Sequence, residues 1–183
     1  MQLAKRQSAF LTVAMALVMG FVLAATLGQI QPRLQVPTTA QLIISPPADS
    51  FYLEEIDSAK TEIDAMLYQF SFEPLKQALG KAAARGVKVR VILERRVDSN
   101  LKTAEELSSL GVKVKWATTE FANTHAKTAA IDGEKLFVGS TNWSQHAMRQ
   151  NREVSVLMES KDLTQEFLKV FEEDWKKASD YRQ

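Results

Sequence analysis

The residues from Thr124 to Ser144 bring together side chains that could act on a phosphoryl group. This stretch reads THAKTAAIDGEKLFVGSTNWS and contains His125, one of two histidines in the chain, with Lys127 two positions later. Imidazole can attack phosphorus or transfer a proton, and ammonium, amide and hydroxyl groups can hold anionic oxygens. A histidine and a lysine alone would usually mark a solvated strand, so the neighbouring residues decide the interpretation.

A β-hairpin would place these groups on one surface. Asp132 and Gly133 stand between two apolar runs, which is a strong signal for a two-residue hairpin turn. If Asp132 and Gly133 form the turn, Ile131 faces Glu134. In this register, and in the register shifted by one residue pair, the same four polar side chains lie on one face of the hairpin. These four are His125, Lys127, Ser140 and Asn142. Glu153 follows in the segment NRE, and its carboxylate could orient an imidazole.

The composition excludes several kinds of site. The hairpin cluster lacks grouped carboxylates, which disfavours a metal-dependent phosphodiesterase. The chain of 183 residues has no cysteine, which excludes disulfides and cysteine-ligated zinc. Its net charge of +1 gives no global field that would require a polyanionic partner. A nucleic-acid or phospholipid interpretation therefore rests on local basic clusters.

One such cluster precedes the hairpin. It consists of Lys81, Arg85, Lys88, Arg90, Arg95 and Arg96. Arg95 and Arg96 follow the end of a predicted strand, where a site would lie in an α/β sheet. The alternative interpretation is a solvated helix face together with strand ends.

The elements upstream of the hairpin alternate between helix and strand. Their predicted order is helix 49–62, strand 63–70, helix 74–86, strand 87–94, helix 103–111 and strand 112–117, which is typical of an α/β layer fold. After the hairpin come strand 154–160 and a last helix that begins near Asp162, with Gln165 completing a capping box. This helix is predicted to bury Leu163, Phe167, Val170, Phe171 and Trp175.

The N-terminal region is a different kind of segment. Lys5 and Arg6 precede an uncharged stretch, and residues 9–28 are apolar over the ~20 residues that a membrane-spanning helix needs. A cleavable signal peptide and a membrane anchor both fit this pattern, and a buried core helix is a third interpretation. With either a signal peptide or a membrane anchor, the basic residues stay inside and the following domain is exported. We predict a signal or anchor over 1–31, a proline-containing linker over 32–47, and a catalytic domain over 48–183.

The spacing of the polar residues resembles the signature of the phospholipase D superfamily, HxKxxxxD followed by GSxN. Its positions are occupied by His125, Lys127, Asp132, Gly139, Ser140 and Asn142, with Glu153 downstream. The order of elements over residues 42–178 is also similar, although Glu94 ends a strand where relatives often have Asp. The resemblance implies an α/β fold with a mixed β-sheet flanked by helices on both faces, an α-β-α sandwich, here preceded by the apolar N-terminal helix.

The resemblance also implies a two-step displacement that uses neither metal nor cofactor. One histidine attacks phosphorus to form a phosphohistidine, and a second protonates the leaving oxygen and then activates water. This chain has one copy of the motif, and we interpret His146 as a surface or rim residue, so the resemblance implies a homodimer with a composite site. It assigns phosphoryl binding to Lys127, Ser140 and Asn142, and orientation of His125 to Glu153. We expect Asp132 to support the hairpin.

Short single-motif chains resemble the exported bacterial endonucleases and a membrane-anchored mitochondrial relative, which favours a nucleic-acid substrate. Arg95 and Arg96 are then candidates for binding it. The first alternative is a phospholipase D that acts on phospholipid head groups. The second is a non-catalytic nucleic-acid-binding protein on the same fold. We expect the domain to be extracytoplasmic, either free after signal cleavage or held by the anchor.

Overall fold

A computed structural model describes residues 39–182, in which strands and helices largely alternate. The strands are β1 (Thr39–Ile44), β2 (Glu62–Leu67), β3 (Lys88–Leu93), β4 (Lys113–Trp116), β5 (Lys127–Ile131), β6 (Lys135–Gly139), β7 (Val154–Glu159) and β8 (Ser179–Asp180). The helices are α1 (Asp49–Ser58), α2 (Glu73–Ala84), α3 (Ser99–Ser109), α4 (Gln145–Arg149) and α5 (Lys161–Lys177). The signal or anchor predicted over 1–31 lies outside the described residues. Within residues 39–182, no helix is both long and apolar enough to cross a membrane.

One mixed sheet holds these strands in the order β1-β7-β6-β5-β2-β3-β4-β8. The central strands β2, β3 and β4 are parallel to one another, whereas β5 pairs with β2 in the antiparallel sense. The largest core cluster lies between the sheet and helices α1 to α3, and α5 packs on the opposite face. The predicted α/β fold, with helices on both faces of a mixed sheet, is confirmed.

The predicted basic cluster does not form one surface. Arg90 is buried in β3, where it donates to both carboxylate oxygens of Asp64 at 2.6 and 2.9 Å and pairs with Glu172 of α5 at 2.6 Å. Lys88 begins the same strand and therefore lies at the opposite edge of the sheet from the residues that follow β3. Lys81 and Arg85 lie in and after the last turn of α2, where Arg85 donates to the Ile56 carbonyl at 3.0 Å. Arg95 and Arg96 are the two members of the cluster that follow the end of β3, and both are exposed.

The predicted linker needs a correction. Residues 39–44 form β1, which pairs along its length with β7, so the domain begins before residue 48. The sequence did not predict this strand because most side chains of β1, which lies at the edge of the sheet, are exposed and give no alternating pattern of burial. Residues 32–38 of the predicted linker lie outside the described residues.

The last helix also begins differently from the prediction. Its N-cap is Ser160, whose hydroxyl accepts from the Leu163 backbone N–H, so the capping box from Asp162 is wrong. Gln165 instead donates to the carbonyl of Gly133 at 3.2 Å, which ties α5 to the hairpin. Among the residues predicted to be buried by this helix, Val170 is 53 % exposed.

The hairpin of β5 and β6 has a different register from the one predicted. Ile131 pairs with Lys135 instead of Glu134, so three residues separate the strands. Asp132 and Gly133 both have positive φ, at 53° and 68°. A shift of one residue in strand pairing moves every side chain of one strand to the opposite face relative to its partner. In the observed register Lys127 lies opposite Gly139 instead of Val138. The shared face inferred from hairpin pairing is therefore wrong, and another feature must gather the polar side chains.

Asp132 fastens the hairpin to the start of β2. Its carboxylate accepts from the backbone N–H groups of Lys60, Thr61 and Glu62 and from the Thr61 hydroxyl, at 2.8 to 3.1 Å. Partial burial would raise the pKa of the Asp132 carboxyl, but the hydrogen bonds from Thr61, Lys60 and Glu62 outweigh it and lower the pKa. The pKa of this carboxyl is lower in the folded chain than in the unfolded chain. The carboxylate therefore stabilises the fold fully at pH values above its unfolded-state pKa, and this stabilisation is lost as pH falls through the folded-state pKa.

We predict that Asp132→Asn lowers the free energy of unfolding at pH 7 by about 1–2 kcal/mol, because asparagine tolerates the positive φ but loses the charge that strengthens these hydrogen bonds. The difference from wild type should shrink as pH falls below about 4, where the wild-type carboxylate gains a proton. Urea unfolding at pH 7 and pH 3 measures both effects. Glu134→Gln in the same hairpin is the matched control, and equal stability of Asp132→Asn and wild type at pH 7 would contradict the assignment.

Candidate active site

The ends of several strands meet at one edge of the sheet, which we call the carboxyl edge because β2, β3 and β4 end there. β5 runs antiparallel to β2, so its first residue, Lys127, pairs with the last residue of β2, Leu67. β6 ends and β7 begins at the same edge, where Gly139 pairs with Ser155. Five of the predicted site residues are therefore placed at this edge: His125, Lys127, Ser140, Asn142 and Glu153. Asp132 lies at the opposite edge.

Lys127 is buried and lies directly against His125. Its ammonium donates to the His125 carbonyl at 2.8 Å and lies 2.9 Å from the ring atom Nδ1. The same ammonium lies 3.3 Å from Nε2, so it sits beside both ring nitrogens, and the tautomer of the ring decides which of them accepts. The ring of Tyr68, the residue after β2, has its centroid 4.2 Å from that of His125 and 4.8 Å from Lys127 Nζ. His125 itself is exposed, so its ring is accessible to a substrate.

Two opposing influences set the charge state of Lys127. Burial lowers the pKa of its ammonium, and the carboxylate of Glu153 acts in the other direction by raising it. Burial is the larger influence, so the pKa of Lys127 lies below its ordinary value, and the nearby carboxylate of Glu153 limits the decrease.

Glu153 also fixes Ser140. It accepts from the Ser140 hydroxyl at 2.5 Å and from the side-chain amide of Asn151 at 3.2 Å. The Ser140 hydroxyl in turn accepts from the backbone N–H of Val154 at 3.1 Å. The hydrogen bond expected between Glu153 and His125 does not occur within residues 39–182, where Lys127 contacts Nδ1 instead. In this chain Glu153 therefore positions the Ser140 hydroxyl.

Asn142 lies two residues after Ser140, and its amide oxygen is buried. The residue as a whole is half-buried, and its Oδ1 has no hydrogen-bond partner in the part of the chain that the structure describes. Rotation of the amide by half a turn exchanges its oxygen and nitrogen, so this position can offer either an acceptor or donors.

A buried hydroxyl network supports the segment from Gly139 to Asn142. The hydroxyls of Thr141 and Ser155 lie 2.8 Å apart, close to the buried side chain of Tyr52, and burial raises the pKa of its phenol. Gly139 approaches Ser155 so closely that a Cβ at this position would overlap it. The glycine of the GSTN sequence is therefore required by strand packing, whereas its serine and asparagine face the site.

Three positioning residues were not predicted as site residues. Glu94 is buried and accepts from the Thr124 backbone N–H at 2.8 Å, which holds the residue before His125. Asn100 accepts from Phe70 N–H at 2.9 Å and donates to the carbonyls of Tyr68 and Glu94, both at 2.8 Å, tying the ends of β2 and β3 together. Tyr68 is the third. Only Glu94 had a signal in the sequence, because it stands where the superfamily often has Asp.

The remaining candidates lie at the margin of the site. Arg95 and Arg96 are exposed at the carboxyl edge, and Arg96 donates to Glu94 at 3.0 Å and to the Phe121 carbonyl at 3.4 Å. His146 is exposed on α4, as predicted for a surface residue.

Comparisons with known proteins place this arrangement in a family. A family model described as "Cardiolipin synthase, PLD-like domain" matches residues 52–175. A mitochondrial cardiolipin hydrolase of Danio rerio is 33 % identical over 127 residues, covering 66 % of this chain and 55 % of that protein. A phospholipase D of Rickettsia conorii is 33 % identical over 130 residues, covering 68 % of this chain and 63 % of that protein. The chain spans about half the length of the cardiolipin hydrolases that it matches.

The fold matches a solved structure over most of the described chain. Nuc from Salmonella typhimurium, a phospholipase D family member, superposes with a TM-score of 0.75 at 27 % identity. The match covers 80 % of this chain and 100 % of Nuc. The architecture of the sheet and its helices is therefore that of the phospholipase D family.

We predict that Glu153→Gln lowers the pKa of Lys127, because the neutral amide no longer stabilises the ammonium while burial still opposes it. Side-chain NMR of a chain with carbon-13-labelled lysine, titrated with pH, measures this midpoint, and Lys127→Arg identifies the signal. Glu159→Gln is the matched control, because Glu159 is exposed on the same strand. An unchanged or raised midpoint in Glu153→Gln would show that the carboxylate does not hold this charge.

Proposed function

Because the chain belongs to the phospholipase D superfamily, we propose that it hydrolyses phosphodiester bonds through a covalent phosphohistidine at His125. One observation carries this proposal, namely the contact of an exposed imidazole with the buried ammonium of Lys127 at the carboxyl edge. The ammonium, the Ser140 hydroxyl and the Asn142 amide then supply donors for phosphoryl oxygens. The mechanism needs neither a metal nor a cofactor.

In the first step the imidazole of His125 attacks phosphorus. As the substrate binds, the ammonium of Lys127 turns from the ring to a phosphoryl oxygen, and the imidazole attacks in the tautomer that has a lone pair on Nε2. A bond forms between Nε2 and phosphorus while the bond from phosphorus to the leaving oxygen breaks. Tyr68 holds the ring against rotation through the contact at 4.2 Å between ring centroids.

The second step returns the histidine to its starting state. A second imidazole, which has given its proton to the leaving oxygen, removes a proton from water. The hydroxide attacks phosphorus, the bond to Nε2 breaks, and a phosphomonoester leaves. We propose that this second imidazole is His125 of another copy of the chain, because a single motif supplies only one such group and His146 stands on the surface of α4.

We propose nucleic acid, single-stranded or without sequence preference, as the substrate. The chain resembles short single-motif endonucleases, and two exposed arginines, Arg95 and Arg96, follow β3 at the carboxyl edge. Guanidinium groups bind phosphates in a planar, bidentate manner. The apolar residues 9–28 would export the domain, as a cleaved signal or as an anchor.

A second candidate is the hydrolysis of phospholipid head groups. The observation in its favour is the nature of the curated relatives, which include a mitochondrial cardiolipin hydrolase and a phospholipase D at 33 % identity. The proposed chemistry at phosphorus is the same for both substrates. Only the groups on either side of the phosphodiester differ, so a direct comparison of substrates must distinguish them.

We predict that the full chain, purified in mild detergent and kept in excess EDTA, cleaves labelled single-stranded DNA or RNA. The comparison substrates are duplex DNA and vesicles of phosphatidylcholine or cardiolipin. An alkaline quench during turnover should trap labelled phosphate on the protein, because a phosphoramidate survives alkali. His125→Asn should abolish both cleavage and label. Cleavage that requires added magnesium would contradict the mechanism, and hydrolysis of lipid alone would establish the second candidate.

One further variant tests substrate binding, and each prediction has its own control, His146→Asn for activity and Lys88→Ala for binding. His146→Asn should retain activity within a few fold, because His146 lies outside the proposed site. Arg95→Ala should weaken nucleic-acid binding and reduce its dependence on salt, because one phosphate contact is lost. Lys88→Ala, at the opposite end of β3, should leave binding unchanged. Equal binding by Arg95→Ala and wild type would exclude this arginine from the substrate path.

A further inference from the structure

The loop between β4 and β5, residues 117–126, carries an exposed aromatic ring close to the site. Phe121 is 51 % exposed, and it is the aromatic member among the large apolar side chains that stand exposed within residues 39–182. A phenylalanine ring is ordinarily buried, because burial of its apolar surface is favourable. An exposed ring beside a reactive group is therefore a candidate for contact with the substrate.

The order of the strands brings this loop across the site. β3 and β2 separate β4 from β5 in the sheet, so the loop crosses the ends of both strands at the carboxyl edge. Its beginning is fastened to β3, because the Ala117 N–H donates to the carbonyl of the last residue of that strand at 2.8 Å. Its end is fastened to β2, because the Tyr68 N–H donates to the Ala126 carbonyl at 2.8 Å. Phe121 precedes His125 by four residues, so their Cα atoms lie within about 14 Å of each other.

Polar contacts hold the backbone of this loop in place. Glu94 is buried, accepts from the Thr124 N–H at 2.8 Å and pairs with Arg96 at 3.0 Å. The guanidinium of Arg96 also donates to the Phe121 carbonyl at 3.4 Å. The backbone of Phe121 is thereby connected to the residue before His125, while its ring remains in solvent. A ring held in this way does not have to be ordered when a ligand binds.

Two arginines place positive charge beside the ring. Arg96 contacts the Phe121 carbonyl. Arg95 lines a neighbouring cleft, whose other residues are Asp98, Leu101, Trp116 and Tyr181. Because β3 lies between β2 and β4, these groups continue from His125 along the carboxyl edge. The three strand spacings from β5 to β4 amount to ~14 Å, which about four nucleotides of a stacked strand cover. Guanidinium groups bind phosphates and aromatic rings stack on bases, a combination typical of proteins that bind single strands.

We propose that Phe121 stacks on an unpaired base of the substrate, next to the phosphate that His125 attacks. This inference rests on the proposed function, in which the substrate is nucleic acid. Stacking needs one open face of a base, whereas in a duplex both faces are covered by neighbouring base pairs. A duplex would have to unstack before the ring could reach a base, which costs energy. Phe121 therefore gives the enzyme a preference for single strands without selecting a sequence, because every base has a flat face.

Binding measurements that require no cleavage test this contact. The full chain carrying His125→Asn, in mild detergent and EDTA, is titrated into a labelled single-stranded oligonucleotide, and fluorescence anisotropy gives the affinity. Phe121→Ala in this background should weaken binding about five- to hundredfold. Phe121→Trp should retain the affinity, because an indole ring also stacks. Val170→Ala is the matched control and should leave the affinity unchanged, since Val170 is 53 % exposed in the middle of α5. The affinity for a duplex of the same sequence should change less than about twofold in Phe121→Ala, because its bases stay stacked.

Oligonucleotides that lack one base at a time identify the base that stacks. With Phe121 present, removal of that base should weaken binding about as much as Phe121→Ala does. In the Phe121→Ala background the same removal should have no further effect, because the ring and the base contribute to one contact. Equal binding by Phe121→Ala and its parent, or additive losses at every position, would overturn the stacking contact and leave nucleic acid as the proposed substrate.

A lipid substrate would give a different pattern. In that case the chain would have no affinity for oligonucleotides, and it would hydrolyse cardiolipin vesicles more slowly as Phe121→Ala but not as Val170→Ala. The exposed ring would then enter a lipid surface. This result would overturn both the stacking contact and the nucleic-acid substrate, and it would leave the proposed chemistry at His125 in place.

Discussion

The antiparallel pairing of β5 with β2 is the constraint on which the site depends. β2, β3 and β4 run in one direction, and β5 runs in the other, so the beginning of β5 meets the ends of its neighbours. His125 and Lys127 lie at that beginning, next to Tyr68 and close to Glu94. Continuing the antiparallel order through β6 and β7 adds Ser140 and Glu153 to the same edge. Reversal of β5 would send the imidazole to the edge where Asp132 lies.

Buried polar side chains hold this edge in place. Asn100 and Glu94 are both buried, and each satisfies backbone groups near the site. An unpaired buried polar group costs about 1–3 kcal/mol, so these networks favour one arrangement of the loops over alternatives. The exposed reactive groups can then keep a defined geometry even though loops carry most of them.

The sequence predicted the family and the fold better than it predicted the register of the hairpin. The spacing of His125, Lys127, Ser140 and Asn142 indicated the superfamily, and alternating elements indicated the fold. The hairpin register was wrong because Asp132 and Gly133 suit a turn that the sequence cannot distinguish from one with an additional residue. Tyr68 and Asn100 act through contacts between distant strands, which no local pattern encodes. β1 was assigned to a linker because its exposed side chains carry no burial pattern.

The central claim is that one site requires a histidine from each of two copies. Wild-type chain is mixed with an equal amount of His125→Asn, and mass-tagged chains in native mass spectrometry establish that subunits have exchanged. Random pairing gives about one quarter wild-type dimers, one half mixed and one quarter variant. Activity should fall to about a quarter of that of the same total amount of wild-type protein, because a mixed dimer has one functional imidazole. A value near one half after complete exchange would contradict the account, since each chain would then act alone.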